Sequence, residues 1–208
     1  MLKTLRRSGG RPCLGALLLW AGLLYGGTAG SQVEPAEQPR AGLFLVASPD
    51  IADPRFAETV ILLVEHSQQG SHGLIINRRT STTASEFFPD FDIAATAQHL
   101  IHVGGPVALG HFAFLYRIGE RHAEGKAVID DVYFHNDIVL LERLMAMAGT
   151  PLRIFLGYAG WAPGQLQWEL QRGDWELTNA RADDVFRDSI DGLWRELSRH
   201  RRGVLAAR

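Results

Sequence analysis

Apolar residues in this chain gather into short runs of strand length, separated by polar stretches rich in Gly, Pro, Asn and Asp. The first such run is Gly42-Leu-Phe-Leu-Val-Ala47, and Ser48-Pro49 stops it. Thr59-Val-Ile-Leu-Leu-Val64 is rich in β-branched residues and has no polar alternation, which predicts a central strand buried on both faces. His66-Ser-Gln-Gln-Gly-Ser-His-Gly73 reads as a turn and Leu74-Ile-Ile-Asn77 as the returning strand, so a hairpin with a loop of several residues is expected. Further strands are expected at His99-Leu-Ile-His-Val103, Phe112-Ala-Phe-Leu-Tyr116, Asp131-Val-Tyr-Phe134, Leu152-Arg-Ile-Phe-Leu156 and Trp175-Glu-Leu-Thr178.

Helical spacing appears in fewer places. A short helix is expected over Thr82 to Phe88, before Pro89. A second starts at Asn136 as its cap, presents Ile138, Leu141, Leu144 and Met145 on one face, and ends at Gly149 ahead of Pro151. A third begins at Pro163, buries Leu166 and Leu170, and closes at Gly173. The last runs from about Ser189 to His200 with Ile190, Leu193, Trp194 and Leu197 as its stripe. Strands outnumber helices and do not alternate with them. That predicts an α+β fold with a mixed or antiparallel sheet, not a doubly wound parallel one.

Composition adds a compartment. Residues 1–30 carry Lys3, Arg6, Arg7 and Arg11 and no acid, then the apolar run Cys13 to Tyr25, then small residues through Gly30. That order is the order of a secretory signal peptide, with cleavage expected after Ala29 or Gly30. An uncleaved inner-membrane anchor and a cytoplasmic chain with a misplaced start are the alternatives; the apolar run is short for a membrane span, which needs about 20 residues. Residues 31–41 are polar and hold Pro35 and Pro39, as a linker would, and a single domain is expected over 42–208. The chain has 21 basic and 23 acidic groups; without the four in the leader the body stands at 17 against 23, about −6. An acidic body argues against nucleic-acid partners, whose phosphates call for Lys and Arg. Cys13 is the single cysteine, so a processed chain has no disulfide, cysteine nucleophile or thiolate metal site.

The densest stretch for a site is Phe155-Leu-Gly-Tyr-Ala-Gly-Trp-Ala-Pro-Gly-Gln-Leu166, a strand, a small-residue turn and a helix start. Tyr158 and Trp161 offer large faces with polar tips, Gly164 sits where a helix N-terminus can meet an anion, and Gln165 and Glu169 share one helical face. Asn77 and Arg78, at a strand end, can add polar contacts, so these seven residues are the expected ligand-binding set. The stretch lacks the Lys-Ser/Thr of a phosphate loop and the Gly-x-Gly-x-x-Gly of a dinucleotide fold, so no cofactor is implied. Glu65 and His66 follow a strand, and since adjacent strand residues point to opposite faces the pair need not converge; His99 and His102, three apart on one strand, also face opposite ways, so a shared metal is not expected. Ser48, Asp53 and His66 are residue types of a nucleophilic triad, without the Gly-x-Ser-x-Gly elbow that aims the serine.

Six runs, in order, carry a resemblance: Leu45-Val-Ala-Ser-Pro49 with Asp53-Pro-Arg-Phe56, Val64-Glu-His66, Gly73-Leu-Ile-Ile-Asn77, Gly104-Gly-Pro-Val107, Leu156-Gly-Tyr-Ala-Gly-Trp161, and Gly164-Gln-Leu166. Together they resemble the AlgH/YqgE family over roughly residues 42 to 188. The resemblance implies a bifurcated sheet folded into a pseudo-barrel with helices packed around it. It supplies no reaction, and associates one lineage with regulation of alginate production. This chain departs from the pattern in its leader and in Arg79, where many members carry Pro. The expectation is a non-catalytic binding or regulatory domain exported to the bacterial envelope, in the periplasm or secreted. It would meet a small ligand or a protein partner, and a membrane only through an uncleaved leader. The alternative is a hydrolase using Glu65, His66 or Ser48 near the Gly-Tyr-Ala-Gly-Trp corner.

Overall fold

The computed structural model describes residues 38–91, 98–119 and 124–206, with side chains through residue 199. The leader at 1–30, and residues 31–37 of the linker, lie outside the described residues. Ten strands are present among the described residues: β1 (Leu43–Ala47), β2 (Val60–Ser67), β3 (Gly70–Ile75), β4 (Arg79–Thr83), β5 (Leu100–Val103), β6 (Val107–Arg117), β7 (Lys126–Ile129), β8 (Val132–His135), β9 (Leu152–Trp161) and β10 (Trp175–Asn179). Five helices accompany them: α1 (Ala84–Phe87), α2 (Ile138–Ala146), α3 (Gln165–Arg172), α4 (Ala182–Phe186) and α5 (Leu193–Ala206). Pro54–Phe56 forms a single 3-10 turn, capped by the Asp53 carboxylate.

The strand order is β10-β1-β2-β3-β9-β6-β8-β7, with β4 and β5 branching from β9. Every pairing is antiparallel except β5 with β9. The fold is therefore α+β, built on one mixed and bifurcated sheet. Strand β9 is where it divides. Its residues Ile154 to Leu156 pair with β5, while Ala159 to Trp161 pair with β3, and β6 lies along its other edge.

The fork is stitched by Gly104, which donates to Leu156 O (2.8 Å) and accepts from Ile75 N (2.8 Å). Two glycine motifs meet there backbone to backbone. A Cβ on Gly157, whose φ is 68°, would lie 2.5 Å from Gly105 O, and one on Gly105 would lie 2.1 Å from the Tyr158 carbonyl carbon. The glycines of the corner thus serve close packing of two strands.

Strands β1 and β2 are buried on both faces, as their unbroken apolar runs predict. Phe44, Val46, Leu62 and Val64 face one core cluster, with Leu115, Phe155 and Leu193. Leu45, Ala47, Ile61 and Leu63 face another, with Trp161, Leu166 and Trp175. A third cluster packs α2 through Leu140, Leu141, Leu144 and Met145 onto Phe114, Tyr116 and Ile154. Each fully buried aliphatic side chain contributes roughly 1.5–3 kcal/mol.

The sheet rolls up without a closing ladder. Edge strand β7 comes back beside β1 and β2: a Cβ on Gly42 would meet Val128 O at 2.6 Å, and Lys126 Nζ lies 3.0 Å from Glu65 Oε1. This is a pseudo-barrel with an open seam between β2 and β7.

Several expected boundaries move. The β2–β3 loop is only Gln68 and Gln69, since Ser67 pairs with Gly70, so His66 and His72 are strand residues. Their polar neighbours read as a turn because the ends of these strands face solvent. Asp137, not Asn136, caps α2, accepting from Leu140 N at 2.8 Å; this one-residue shift puts Leu140 in the core and leaves Ile138 partly exposed. Helix α3 starts at Gln165 behind Gly164, two residues after Pro163. Strands β4 and β7 and helix α4 are additions; each is four or five residues long, too short for a periodicity to show.

Candidate functional site

The open seam holds a cleft of about 440 Å³. Its walls are apolar: Val64 from β2, Leu74 from β3, Phe112 and Ala113 from β6, and Phe134 from β8. Its polar groups come from β2, β3, β6, β7 and β9 and from the residue after β8. They are Glu65, His72, His111, Lys126, Asn136 and Tyr158. On β2 a register shift between Leu63 and Glu65 lets Val64 and Glu65 both meet the cleft, while His72 and Leu74, two apart, share one face of β3 and differ in depth.

Glu65 organises the rim. It pairs with Lys126 at 3.0 Å and lies 3.5 Å from His72 Nδ1. The Lys126 ammonium, ahead of His72, holds the Glu65 carboxyl below its ordinary range. All three side chains are about half exposed, so the link across the seam is a surface pair, stabilising by no more than about 1 kcal/mol. The His72 ring stands edge-on to Tyr158 with centroids 5.1 Å apart. One wall is bent: the ladder of β6 with β9 slips between Val107 and Phe112, Ala108 adopts φ 50°, and Leu109 projects 58% exposed. Such a cleft suits a molecule with an apolar body and a polar end. Its described lining contains no Ser, Thr or Cys that could act as a nucleophile.

The seven expected ligand residues fall in three places. Tyr158 lines the cleft. Trp161, Gln165 and Glu169 lie at a separate concavity of about 280 Å³ between α3 and the 3-10 turn. There they are occupied with one another: Glu169 Oε2 accepts from the indole N–H of both Trp161 and Trp175, each at 2.8 Å, and Oε1 accepts from Gln165 at 2.8 Å. Gln165 in turn accepts from Ala162 N at 3.0 Å. Gly164 is the left-handed N-cap of α3. Asn77 bridges Val60 N and Glu58 O, and Arg78 donates to the carbonyls of Arg55 (2.5 Å) and Ala57 (3.2 Å). Burial lowers the Arg78 pKa from its ordinary value. Asn77 and Arg78 brace the loop that carries the 3-10 turn, and neither lines the cleft.

The residues of the hydrolase alternative do not converge. Ser48 accepts from Asp50 N (3.4 Å) just past the end of β1. Val46 pairs with Val60, and His66 lies six residues further along β2, roughly 20 Å away at strand rise. His66 instead meets Ser71 at 2.7 Å and approaches Gln167 at 3.4 Å, while Glu65 faces the cleft. Ser71 is only 2% exposed, so its hydroxyl is not available to a substrate. Among the described residues no cluster of His, Cys, Asp or Glu could hold a metal ion.

Lys126, Asn136, Phe112 and Phe134 are cleft residues that the sequence does not single out. The one available signal is the short hairpin Lys126 to Phe134 turning at Asp130-Asp131, which places Lys126 opposite Phe134.

Fold and cleft together define a small α+β domain with an open-seamed pseudo-barrel. A family model described as AlgH-like matches residues 44–206, and the chain belongs to that family. A UPF0301 protein of Streptomyces coelicolor is 36% identical over 170 residues, covering 79% of this chain and 88% of that relative. One from Parabacteroides distasonis is 32% identical over 163 residues, covering 76% and 81%. The solution structure of the AlgH protein from Pseudomonas aeruginosa is 30% identical with a TM-score of 0.66, covering 84% of this chain and 97% of that one. The crystal structure of protein DIP2367 from Corynebacterium diphtheriae is 27% identical with a TM-score of 0.66, covering 80% and 89%. These names specify no reaction.

Proposed function

We propose that this chain is a non-catalytic binding domain with a regulatory output, carried to the bacterial envelope by its leader, and that the seam cleft holds its ligand. The observation that carries the reading is the make-up of the cleft: apolar walls, a rim of polar groups from several strands, and no Ser, Thr or Cys in its described lining. The ligand is a small molecule whose apolar body lies on Val64, Leu74 and Phe134 and whose polar end meets Tyr158, Asn136 and the Glu65–Lys126 pair. The basic, apolar and small-residue order of the first thirty residues supports export.

Thermal unfolding of the purified protein against a metabolite and nucleotide panel tests it. A ligand raises the melting temperature by mass action. Ala113→Trp, which fills the cleft from β6, is expected to abolish the rise while retaining the fold. If every compound that raises the melting temperature of wild type still does so in Ala113→Trp, the assignment to this cleft fails. No rise with any compound turns the reading towards a protein partner.

A further inference from the structure

A third concavity, of about 290 Å³, opens where β4, β5 and β9 meet the segment after α4. Its lining includes Arg79, His99, His102, Arg153 and Asp188. Arg153 is the unusual member. It stands on β9 between two core strands and is only 9% exposed. Its guanidinium donates to the carbonyls of Ile76 and Arg187. Five N–H donors are available on a guanidinium, so three are left without an acceptor among the described residues. No carboxylate among the described residues forms an ion pair with it, and Asp188 acts on it only at longer range. A buried cation with no counter-charge is costly to a fold, and burial with the repulsion of Arg79 lowers the Arg153 pKa to about 10.

We propose that this concavity is an oxyanion site, in which the forked guanidinium of Arg153 and the exposed side chain of Arg79 hold the phosphate or carboxylate group of a small molecule. The planar fork of Arg matches two oxygens of either group, and Arg79 closes the site from the solvent side with a second positive charge. His102 forms part of the wall, 5% exposed and neutral at physiological pH. Asp188 is the one carboxylate in the described lining and selects against occupants whose negative charge extends to it. The site is separate from the seam cleft, and the two proposals stand independently.

Titration of the purified protein with inorganic phosphate, and separately with citrate, against chloride at constant ionic strength tests the proposal. The readouts are the imidazole resonances of His99 and His102 and the melting temperature. At least one oxyanion is expected to move both imidazoles saturably and raise the melting temperature where chloride does not. Response to phosphate alone assigns a phosphorylated ligand, and response to citrate alone a carboxylic acid. Arg79→Gln, a change at an exposed side chain, is expected to weaken the response at least fivefold while the protein melts as wild type in chloride. Arg153→Gln is expected to abolish it, and the Arg79 variant keeps the test valid if that protein does not fold. Absence of a saturable response to either anion, or an equal response in Arg79→Gln, overturns the proposal.

Discussion

At the scale of single residues, Glu169 shows how a motif that looks like a ligand set can be a packing device. Its carboxylate takes the indole protons of Trp161 (6% exposed) and Trp175 (5% exposed), so the two rings are fixed by one acceptor. Glu169→Leu strands both donors, and a buried unpaired donor costs about 1–3 kcal/mol. We therefore expect a loss of roughly 2–4 kcal/mol in urea unfolding, with Glu169→Gln losing less because one acceptor oxygen remains.

His102 carries a different consequence. Burial, then the Arg153 cation, lowers its pKa from 6.5 to about 4, and its Nδ1 lacks a hydrogen-bond partner although backbone groups of Ile154 and Leu100 favour the charged form. A folded pKa below the unfolded one means that the unfolded chain binds the proton first. The contribution is complete above pH 6.5 and is lost as pH falls towards 4, by about 3 kcal/mol. Wild type should therefore lose about that much more stability than His102→Leu between pH 7 and 4; parallel curves would contradict it.

At the scale of elements, long apolar runs were legible and short pieces were not. Strand β1 (Leu-Phe-Leu-Val-Ala) and the first five residues of β2 (Val-Ile-Leu-Leu-Val) are unbroken apolar runs, as strands buried on both faces require. The polar ends of β2 and β3 pass for a turn in sequence, because Glu65, His72 and their neighbours stand at a rim where alternation breaks. The corner at Gly157 was visible, but its partner was not: no local pattern says that Gly157 meets Gly105 from fifty residues upstream. That contact sets the fork in the sheet. Gly157→Ala must accept both a left-handed backbone and a Cβ 2.5 Å from Gly105 O. A loss of more than about 2 kcal/mol is expected in thermal unfolding, well beyond the cost of the same exchange at an unstrained site.

At the scale of the whole molecule, the candidate site is a product of topology. Tyr158 could be picked out of the sequence as a site residue, but its companions come from β2, β3, β6, β7 and β8, and meet only because the sheet curls until β7 faces β2. The Lys126–Glu65 pair spans that seam with both side chains half exposed, so a ligand entering the cleft has little to displace. The most direct test is chemical-shift mapping by NMR, on the full chain, of each panel compound that raises the melting temperature and is not displaced by inorganic phosphate or citrate. The account predicts saturable shifts centred on Leu74, Ala113, Phe134 and Tyr158, with residues Trp161 and Glu169 unmoved. Shifts centred on Trp161 and Glu169, or no saturable shift at the cleft with any binder, would contradict it.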